Sequence, residues 1–451
     1  MFLVNDMNKL LVMKFYIETY GCQMNIYDSE IICSILLKSG FIKTSTLKKA
    51  DIILLNTCAI REKPEKKIFN RLMKIRCLKQ TNNQIKIGLV GCLATHYNKQ
   101  TLEKLNFIDL IVGPDSYKKI PKMIKNLKKE QTKKEIDVSL ANQEKYTKII
   151  PIGVRTSISA FLSIMRGCDN MCTFCIVPFS RGREKSRNPN SILKECKILY
   201  KKGYKEIILL GQNVDSYFFK QIKFLNLLEL IAITVPLMRI RFLTSYPSNI
   251  SKNLLEVVKK HSNICKHFHI PLQSGSTRIL SLMRRKYTVE EFLLIIKMIK
   301  QIIPDCSISS DLMTGFCTET QEDHRETIRI MNIIKFNFSY MFKYSSRQGT
   351  YAYRKLKDDV PNILKLRRLN EILMLQKSHS FYRLKENIGK IQNVLIEGIS
   401  KKDDNYYYGR NYKNDIIVFP KTKSKIGSYN RVKILNSTFT TLIGERILSE
   451  I

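Results

Sequence analysis

The chain has 451 residues, with 77 Lys and Arg against 39 Asp and Glu, a net charge of +38. At roughly 150 residues per domain this is material for about three domains with real cores. A 44% hydrophobic share with 26% charged residues excludes wholesale disorder. The richest apolar stretch, Phe292 to Ile303, is broken by Lys297 and Lys300, so a transmembrane helix is excluded. Met1 to Leu11 has no small-residue cleavage site and does not read as a signal peptide, so a cytoplasmic protein is expected. The positive excess suits a polyanionic partner, nucleic acid first, although a Lys-, Ile- and Asn-heavy vocabulary from biased nucleotide composition would give the same charge. Twelve cysteines in a reducing compartment point to metal or redox chemistry rather than disulfides.

From Lys14 to about Met123, apolar runs at Phe15–Glu18, Ile52–Asn56, Ile87–Val90 and Ile108–Val112 read as strands. Asp28 to Lys38 has helical spacing and meets a stop at Gly40. Strands alternating with helices predict a doubly wound parallel sheet. The lysine-dominated run Lys118 to Lys134 reads as a solvated helix end and linker rather than a specific RNA contact, and a boundary falls between Ile136 and Gly153. Six strands at Ala160–Met165, Ile207–Leu210, Arg239–Leu243, His267–Ile270, Ser307–Asp311 and Phe338–Phe342 then alternate with helices. Capping boxes mark two of the helix starts, Thr288 with Glu291 and Thr320 with Asp323. This pattern predicts a complete or partial (β/α) barrel. Five short strands follow at Gln392–Glu397, Tyr406–Arg410, Ile416–Phe419, Arg431–Leu435 and Thr441–Arg446, which predict a small OB-like closed barrel.

Cys168, Cys172 and Cys175 form CxxxCxxC directly after the first barrel strand. Three thiolates so close can grip three irons of a cubane cluster and leave the fourth iron open to a ligand. Zinc would want a fourth ligand nearby, and no His lies between Cys168 and Cys196. A second trio depends on the fold. Cys22, Cys58 and Cys92 each sit just past the carboxyl end of a predicted strand, at spacings of 36 and 34 residues. In an open parallel sheet those ends share one edge, where ligands bind, so the trio is a second candidate cluster site. Cys33, Cys77, Cys196, Cys265, Cys306 and Cys317 read as ordinary cysteines. His267 and His269 beside Cys265 read as ordinary strand side chains.

The stretch Ser163-Ile164-Met165-Arg166-Gly167-Cys168-Asp169-Asn170-Met171-Cys172-Thr173-Phe174-Cys175 resembles the radical S-adenosylmethionine enzymes, and within them the methylthiotransferases. The resemblance continues through Val177 to Glu184, Gly211 to Tyr217, Pro271 to Ser276 and Tyr20 to Asn25, and covers the chain from about Lys14 to Glu445. It is closest to the bacterial tRNA branch, which methylthiolates carbon 2 of N6-isopentenyladenosine next to the anticodon. Sister branches act on threonylcarbamoyladenosine in tRNA or on a ribosomal-protein aspartate.

The resemblance implies an N-terminal methylthiotransferase domain at 14–135, a radical S-adenosylmethionine barrel at 153–384 and a TRAM RNA-binding domain at 387–449. It implies two 4Fe-4S clusters. One, on Cys168, Cys172 and Cys175, binds S-adenosylmethionine through its open iron, and reduction there yields a 5′-deoxyadenosyl radical. The auxiliary cluster, on Cys22, Cys58 and Cys92, supplies or carries sulfur that a second S-adenosylmethionine methylates. Phe174, Gly211, Gln212, Asn213, Gln273, Ser274 and Asp311 are the expected cofactor-binding residues, and no catalytic residue is assigned. The implied partners are the tRNA anticodon arm, an electron donor such as flavodoxin or ferredoxin, and a sulfur donor. No membrane is implied, and the chain is expected to be a monomer. Tyr406, Tyr407, Tyr408, Arg410 and Phe419 mix aromatic and basic character suited to RNA, with about half of the rings expected in the core. Arg181, Arg183 and Arg187 follow the cluster loop and read either as steering the anticodon arm or as plain surface arginines. Cys317-Thr318 stands where the family shows Pro-Gly.

Overall fold

The computed structural model describes residues 13–59, 62–96, 105–128, 134–143, 146, 149–151 and 158–447. Met1 to Leu11, Lys129 and Lys133 of the lysine run, and the expected domain limits at 153 and 449 lie outside the described residues. The chain forms two units. The first takes residues 1–155, 166–168 and 176–185, and the second takes 156–165, 169–175 and 186–451.

The first unit is built on β1 (Lys14–Thr19), β2 (Ile42–Lys43), β3 (Ile52–Thr57), β4 (Lys86–Gly91), β5 (Leu110–Val112) and β6 (Glu135–Asp137), in the order β2-β1-β3-β4-β5-β6. Every pairing is parallel. All of β3 is buried, as expected of an apolar run covered on both faces. The sequence reading missed β2 and β6, which are short edge strands with little apolar content to announce them. Helix α1 (Gln23–Lys38) ends at Ser39, and Gly40 takes φ +86°, the left-handed conformation that stops a helix. Helices α2 (Glu62–Thr81), α3 (Cys92–His96) and α4 (Ile120–Lys128) follow. On α4, Met123, Ile124 and Leu127 are buried while Lys122, Lys125 and Lys128 are exposed, so this part of the lysine run is a solvated helix face, whereas Lys134 is half-buried and donates to the Leu105 carbonyl at 3.4 Å. The unit is completed by 176–185, which carries α5 (Val177–Ser180).

The second unit begins with β7 (Ser159–Ser163), β8 (Glu206–Leu210) and β9 (Arg239–Phe242), a parallel sheet in the order β9-β8-β7. A second parallel sheet has the order β10 (His267–His269), β11 (Ser307–Thr314), β12 (Phe338–Lys343). A parallel bridge joins Ile240 of β9 to Ile264, in the segment leading into β10, and the Ser245 N–H donates to the His269 carbonyl at 3.0 Å, so the expected six strands form a partial barrel with a thin seam after β9. Its helices include α6 (Pro189–Lys201), α7 (Phe224–Thr234), α8 (Lys252–Lys260), α9 (Thr277–Leu282), α10 (Val289–Ile302) and α11 (Gln321–Ile334). Both expected capping boxes are formed, at Thr288 with Glu291 and at Thr320 with Asp323. Strand alternation sends Ile207, Leu209, Ile240, Phe242, Phe268 and Ile308 into the apolar core.

After α12 (Tyr351–Lys355) and the long α13 (Asn362–Lys385), five strands close a small barrel. They are β13 (Ile391–Ile399), β14 (Tyr406–Arg410), β15 (Ile416–Pro420), β16 (Tyr429–Ser437) and β17 (Leu442–Arg446), in the order β13-β14-β15-β17-β16. Phe419 belongs to its core, and the half-buried Tyr407 packs against it with the rings 6.1 Å apart. Tyr406 and Tyr408 stay half-buried, and Arg410 pairs with Glu397 at 2.6 Å. The small barrel is anchored to β9, where Arg239 Nη1 donates to the Arg410 carbonyl at 2.6 Å. Among the described residues no helix is long and apolar enough to cross a membrane.

Candidate functional site

In the first unit the strand order turns back between β1 and β3, the switch point at which an open parallel sheet binds ligands beyond its carboxyl ends. Thr19 pairs with Asn56, and Thr57 with Gly91, so the ends of β1, β3 and β4 lie level. Cys22 caps the start of α1, Cys58 follows β3, and Cys92 opens α3. The close approach is enforced by glycine. A Cβ on Gly21, whose φ is +138°, would stand 2.6 Å from the Cys58 Cβ. Asn25 and Asn56 lock the edge. The Asn25 Nδ2 donates to the Asn56 Oδ1 and the Thr57 carbonyl, both at 3.1 Å, and the Asn56 Nδ2 donates to the Asn25 carbonyl at 2.7 Å. Cys22 Sγ in turn donates to the Asn25 Oδ1 at 3.3 Å.

Electrostatics favour the anion at Cys22 and oppose it at Cys92. A hydrogen bond with Cys58, foremost, pulls the Cys22 thiol down to about 6, with Arg181 helping against burial. Cys92 is pushed up by complete burial, opposed by Arg181, whose Nε donates to Cys92 Sγ at 3.1 Å. Among the described residues no three His, Cys, Asp or Glu side chains are drawn to the spacing of ligands around one ion. Thiolates that each hold a different iron of a cubane stand farther apart than that, so the soft donor set and convergent loops fit a cluster.

In the CxxxCxxC loop, the Cys168 N–H donates to the Gly182 carbonyl at 3.2 Å within the first unit. Gly167 before it, at φ +79°, leaves no room for a side chain, since a Cβ would come 2.0 Å from the Arg183 carbonyl oxygen. Within the second unit, the Cys175 N–H bonds the Cys172 carbonyl at 3.0 Å, which folds those two cysteines into one turn. Thr173 anchors that turn through its N–H to the Met283 carbonyl and its Oγ1 to the Leu282 carbonyl. Phe174 meets Phe316 edge to face at 6.4 Å. Arg285, which the sequence reading missed, donates from Nη1 to Cys172 Sγ at 3.4 Å and stacks over Tyr246 and Tyr287.

The other expected cofactor residues all follow or end barrel strands of the second unit. Gly211 closes β8 against Met165, with Gln212 and the buried Asn213 next. Gln273 bridges to β11 through its backbone and holds φ +71°, a left-handed conformation for a non-glycine residue. Ser274 Oγ accepts from the Ser276 N–H, and Asp311 on β11 lies 3.5 Å from His269 Nε2. The buried Asn213 Oδ1 and Gln273 Oε1 make no hydrogen bond among the described residues. Two unspent buried amide acceptors, together with the unspent Ser245 Oγ after β9, suit a polar, ammonium-bearing cofactor. Ser245 carried no motif in the sequence; only its strand-end position marks it.

Two of the three arginines after the loop are neither RNA-facing nor on the surface. Arg181 is 3% exposed and paired with Asp28 at 2.8 Å; Arg187 is 2% exposed and paired with Glu195 at 2.8 Å. Charged side chains are buried only with such partners, and the sequence gives no sign of which arginine has one. Arg183 is exposed. Cys317 is buried in a small apolar cluster, Cys33, Cys196 and Cys265 are buried, and no disulfide joins any of the twelve cysteines. His267 and His269 lie on one face of β10 and are linked through Ser309 Oγ, at 3.1 and 2.9 Å.

Residues 14–113 match the Uncharacterized protein family UPF0004, residues 162–331 the Radical SAM superfamily, and residues 385–447 the TRAM domain. The chain is 57% identical over 449 residues to the tRNA-2-methylthio-N(6)-dimethylallyladenosine synthase of Karelsulcia muelleri, an alignment covering 96% of this chain and 98% of the relative. It is 48% identical over 438 residues to the enzyme of that name from Azobacteroides pseudotrichonymphae, covering 96% and 97%. Among solved structures it is similar to the radical S-adenosylmethionine methyltransferase TsrM from Kitasatospora setae, solved with cobalamin and a 4Fe-4S cluster. That likeness has a TM-score of 0.56 at 11% identity, covering 76% of this chain and 77% of the other. It is a likeness of fold.

Proposed function

The chain belongs to the family of the tRNA-2-methylthio-N(6)-dimethylallyladenosine synthases, and from that premise we propose that it inserts a methylthio group at carbon 2 of N6-isopentenyladenosine next to the tRNA anticodon. The observation that carries this reading is the identity with relatives so named over nearly the whole length, with the CxxxCxxC loop at the head of a radical S-adenosylmethionine barrel.

Cys168, Cys172 and Cys175 are the proposed ligands of one 4Fe-4S cluster, and Cys22, Cys58 and Cys92 those of the auxiliary cluster. When bound, the first supplies the electron that cleaves S-adenosylmethionine and the second presents the sulfur. Asn213, Gln273 and Ser245 offer acceptors to the cofactor's ammonium group, and Gly211, packed under Met165, turns the chain from the end of β8 towards Asn213. Phe174, Gln212, Ser274 and Asp311 are proposed to complete that pocket. Arg285 steadies Cys172 by a charge-assisted hydrogen bond. The proposed three-domain division at 14–135, 153–384 and 387–449 leaves RNA to the small barrel. The net charge of +38 supports a tRNA partner. A reductant of the flavodoxin or ferredoxin kind, a sulfur donor, a monomeric state and a cytoplasmic setting belong to the same proposal.

Substrate competition tests it. The reconstituted, reduced protein is offered equal amounts of tRNA bearing isopentenyladenosine, tRNA bearing threonylcarbamoyladenosine, and the ribosomal-protein segment. Methylthio product in the isopentenyl tRNA is expected; product in either of the others instead would transfer the chain to a sister branch.

A further inference from the structure

The geometry points to Arg181 as a positioning residue for the sulfur chemistry of the first unit: its guanidinium holds the Cys92 sulfur and offers a further N–H to the anionic sulfur bound beside it, raising the reduction potential of the cluster there. This rests on the proposal that Cys22, Cys58 and Cys92 hold a cluster.

Arg181 lies outside the region that supplies the three cysteines. It comes from the segment directly after the CxxxCxxC loop, and that segment is built into the first unit. Three anchors hold it. Ile176 is part of the unit's apolar core, Lys185 pairs with buried Asp115 at 2.6 Å, and Arg181 Nη2 donates to Asp28 Oδ2 at 2.8 Å. Asp28 is fully buried on α1, in the helix that Cys22 caps, and it also pairs with Arg166 at 2.7 Å. The Tyr117 hydroxyl donates to the same carboxylate at 3.4 Å. The carboxylate thus aims the guanidinium, whose Nε reaches Cys92 Sγ at 3.1 Å. The Arg181 Nη1 is buried and makes no hydrogen bond among the described residues, which is costly unless a ligand accepts it.

A buried cation that donates to ligand sulfur favours the more negative, reduced state of a cluster and so raises its potential. A purely structural arginine would tie the segment to α1 without that effect. The potential therefore separates the two roles, which activity would not.

The test uses the full chain carrying Cys168→Ala, Cys172→Ala and Cys175→Ala, so that only the second cluster gives a paramagnetic signal on reduction. Its midpoint potential is titrated with Arg181 intact, in Arg181→Gln and in Arg181→Lys, with thermal melting recorded for each. A lower midpoint in Arg181→Gln, largely restored in Arg181→Lys, is expected. An unchanged midpoint in Arg181→Gln at equal signal would overturn the proposal and leave Arg181 a structural tie. If Arg181→Gln melts normally yet assembles no cluster, full iron in Arg181→Lys supports the role of the charge, and loss there too counts against it. Absence of any signal with Arg181 intact overturns the second-cluster reading itself, and the proposal with it.

Discussion

Thr318 holds φ at +63°, a conformation that a β-branched residue adopts only under constraint. The constraint is visible. Asp359 Oδ1 accepts its N–H at 2.7 Å, and Arg278 Nη2 donates to its carbonyl at 2.7 Å. The family's glycine at this place would sit there without strain, so Thr318→Gly is expected to stabilise the chain by about 1 kcal/mol, read as a rise in thermal melting. Gly167 is the opposite case. Its φ of +79° and the Arg183 carbonyl 2.0 Å from any Cβ leave no room for a side chain. Gly167→Ala should cost about 2 kcal/mol or more and lower the iron bound by the CxxxCxxC loop, both measurable on the purified protein. The motif glycine was legible in the sequence as part of the loop, whereas the strain at Thr318 was not, because φ is a property of the folded backbone.

At the scale of elements, Glu206 on β8 is the buried counter-charge for Arg239 and Arg241 on β9, at 3.0 Å to each Nε. Arg239 in turn anchors the small barrel, so this knot couples β8, β9 and β14. Burial works against the Glu206 carboxylate, but Arg241 and Arg239 outweigh it and hold it at about 2, against an ordinary 4.5. Its contribution, about 3 kcal/mol, is therefore fully present above pH 4.5 and is lost as the pH falls towards 2. Glu206→Gln should lower stability by about 3–5 kcal/mol at neutral pH and flatten the acid limb of the melting profile. The strands themselves were legible, because their apolar residues alternate into the core. The polar knot was not, because alternation says which face a charge lies on and nothing about its partner. Arg181 and Arg187 were misjudged for the same reason. In the small barrel, alternation places Phe419 in the core; Tyr406, Tyr407 and Tyr408 are all half-buried, and of the three Tyr407 packs on that core. Tyr406→Ala or Tyr408→Ala is accordingly expected to weaken tRNA binding by about 1–3 kcal/mol with little loss of stability, and Tyr407→Ala to lower the melting temperature.

Across the whole molecule, the two sets of cysteines show what a sequence can carry. The CxxxCxxC spacing is local and can be read without a fold. Cys22, Cys58 and Cys92 converge only because β1, β3 and β4 are neighbours in a parallel sheet, and the strand pattern was enough to anticipate it. Asn25, Asn56 and Asp28, which set the geometry of that edge, are buried polar residues whose partners come from distant segments. In the proposed function both sets serve one reaction on tRNA, and mass spectrometry of nucleosides reads that reaction out. The protein is reconstituted anaerobically with iron and sulfide, then reduced and supplied with S-adenosylmethionine and tRNA bearing isopentenyladenosine. The digested tRNA should contain the methylthio nucleoside. In Cys168→Ala both that product and 5′-deoxyadenosine should vanish, and in Cys22→Ala the product should vanish while 5′-deoxyadenosine still forms. Undiminished methylthio product from Cys22→Ala would remove the second set from the reaction, and 5′-deoxyadenosine without any product from the unaltered chain would remove this tRNA as the substrate.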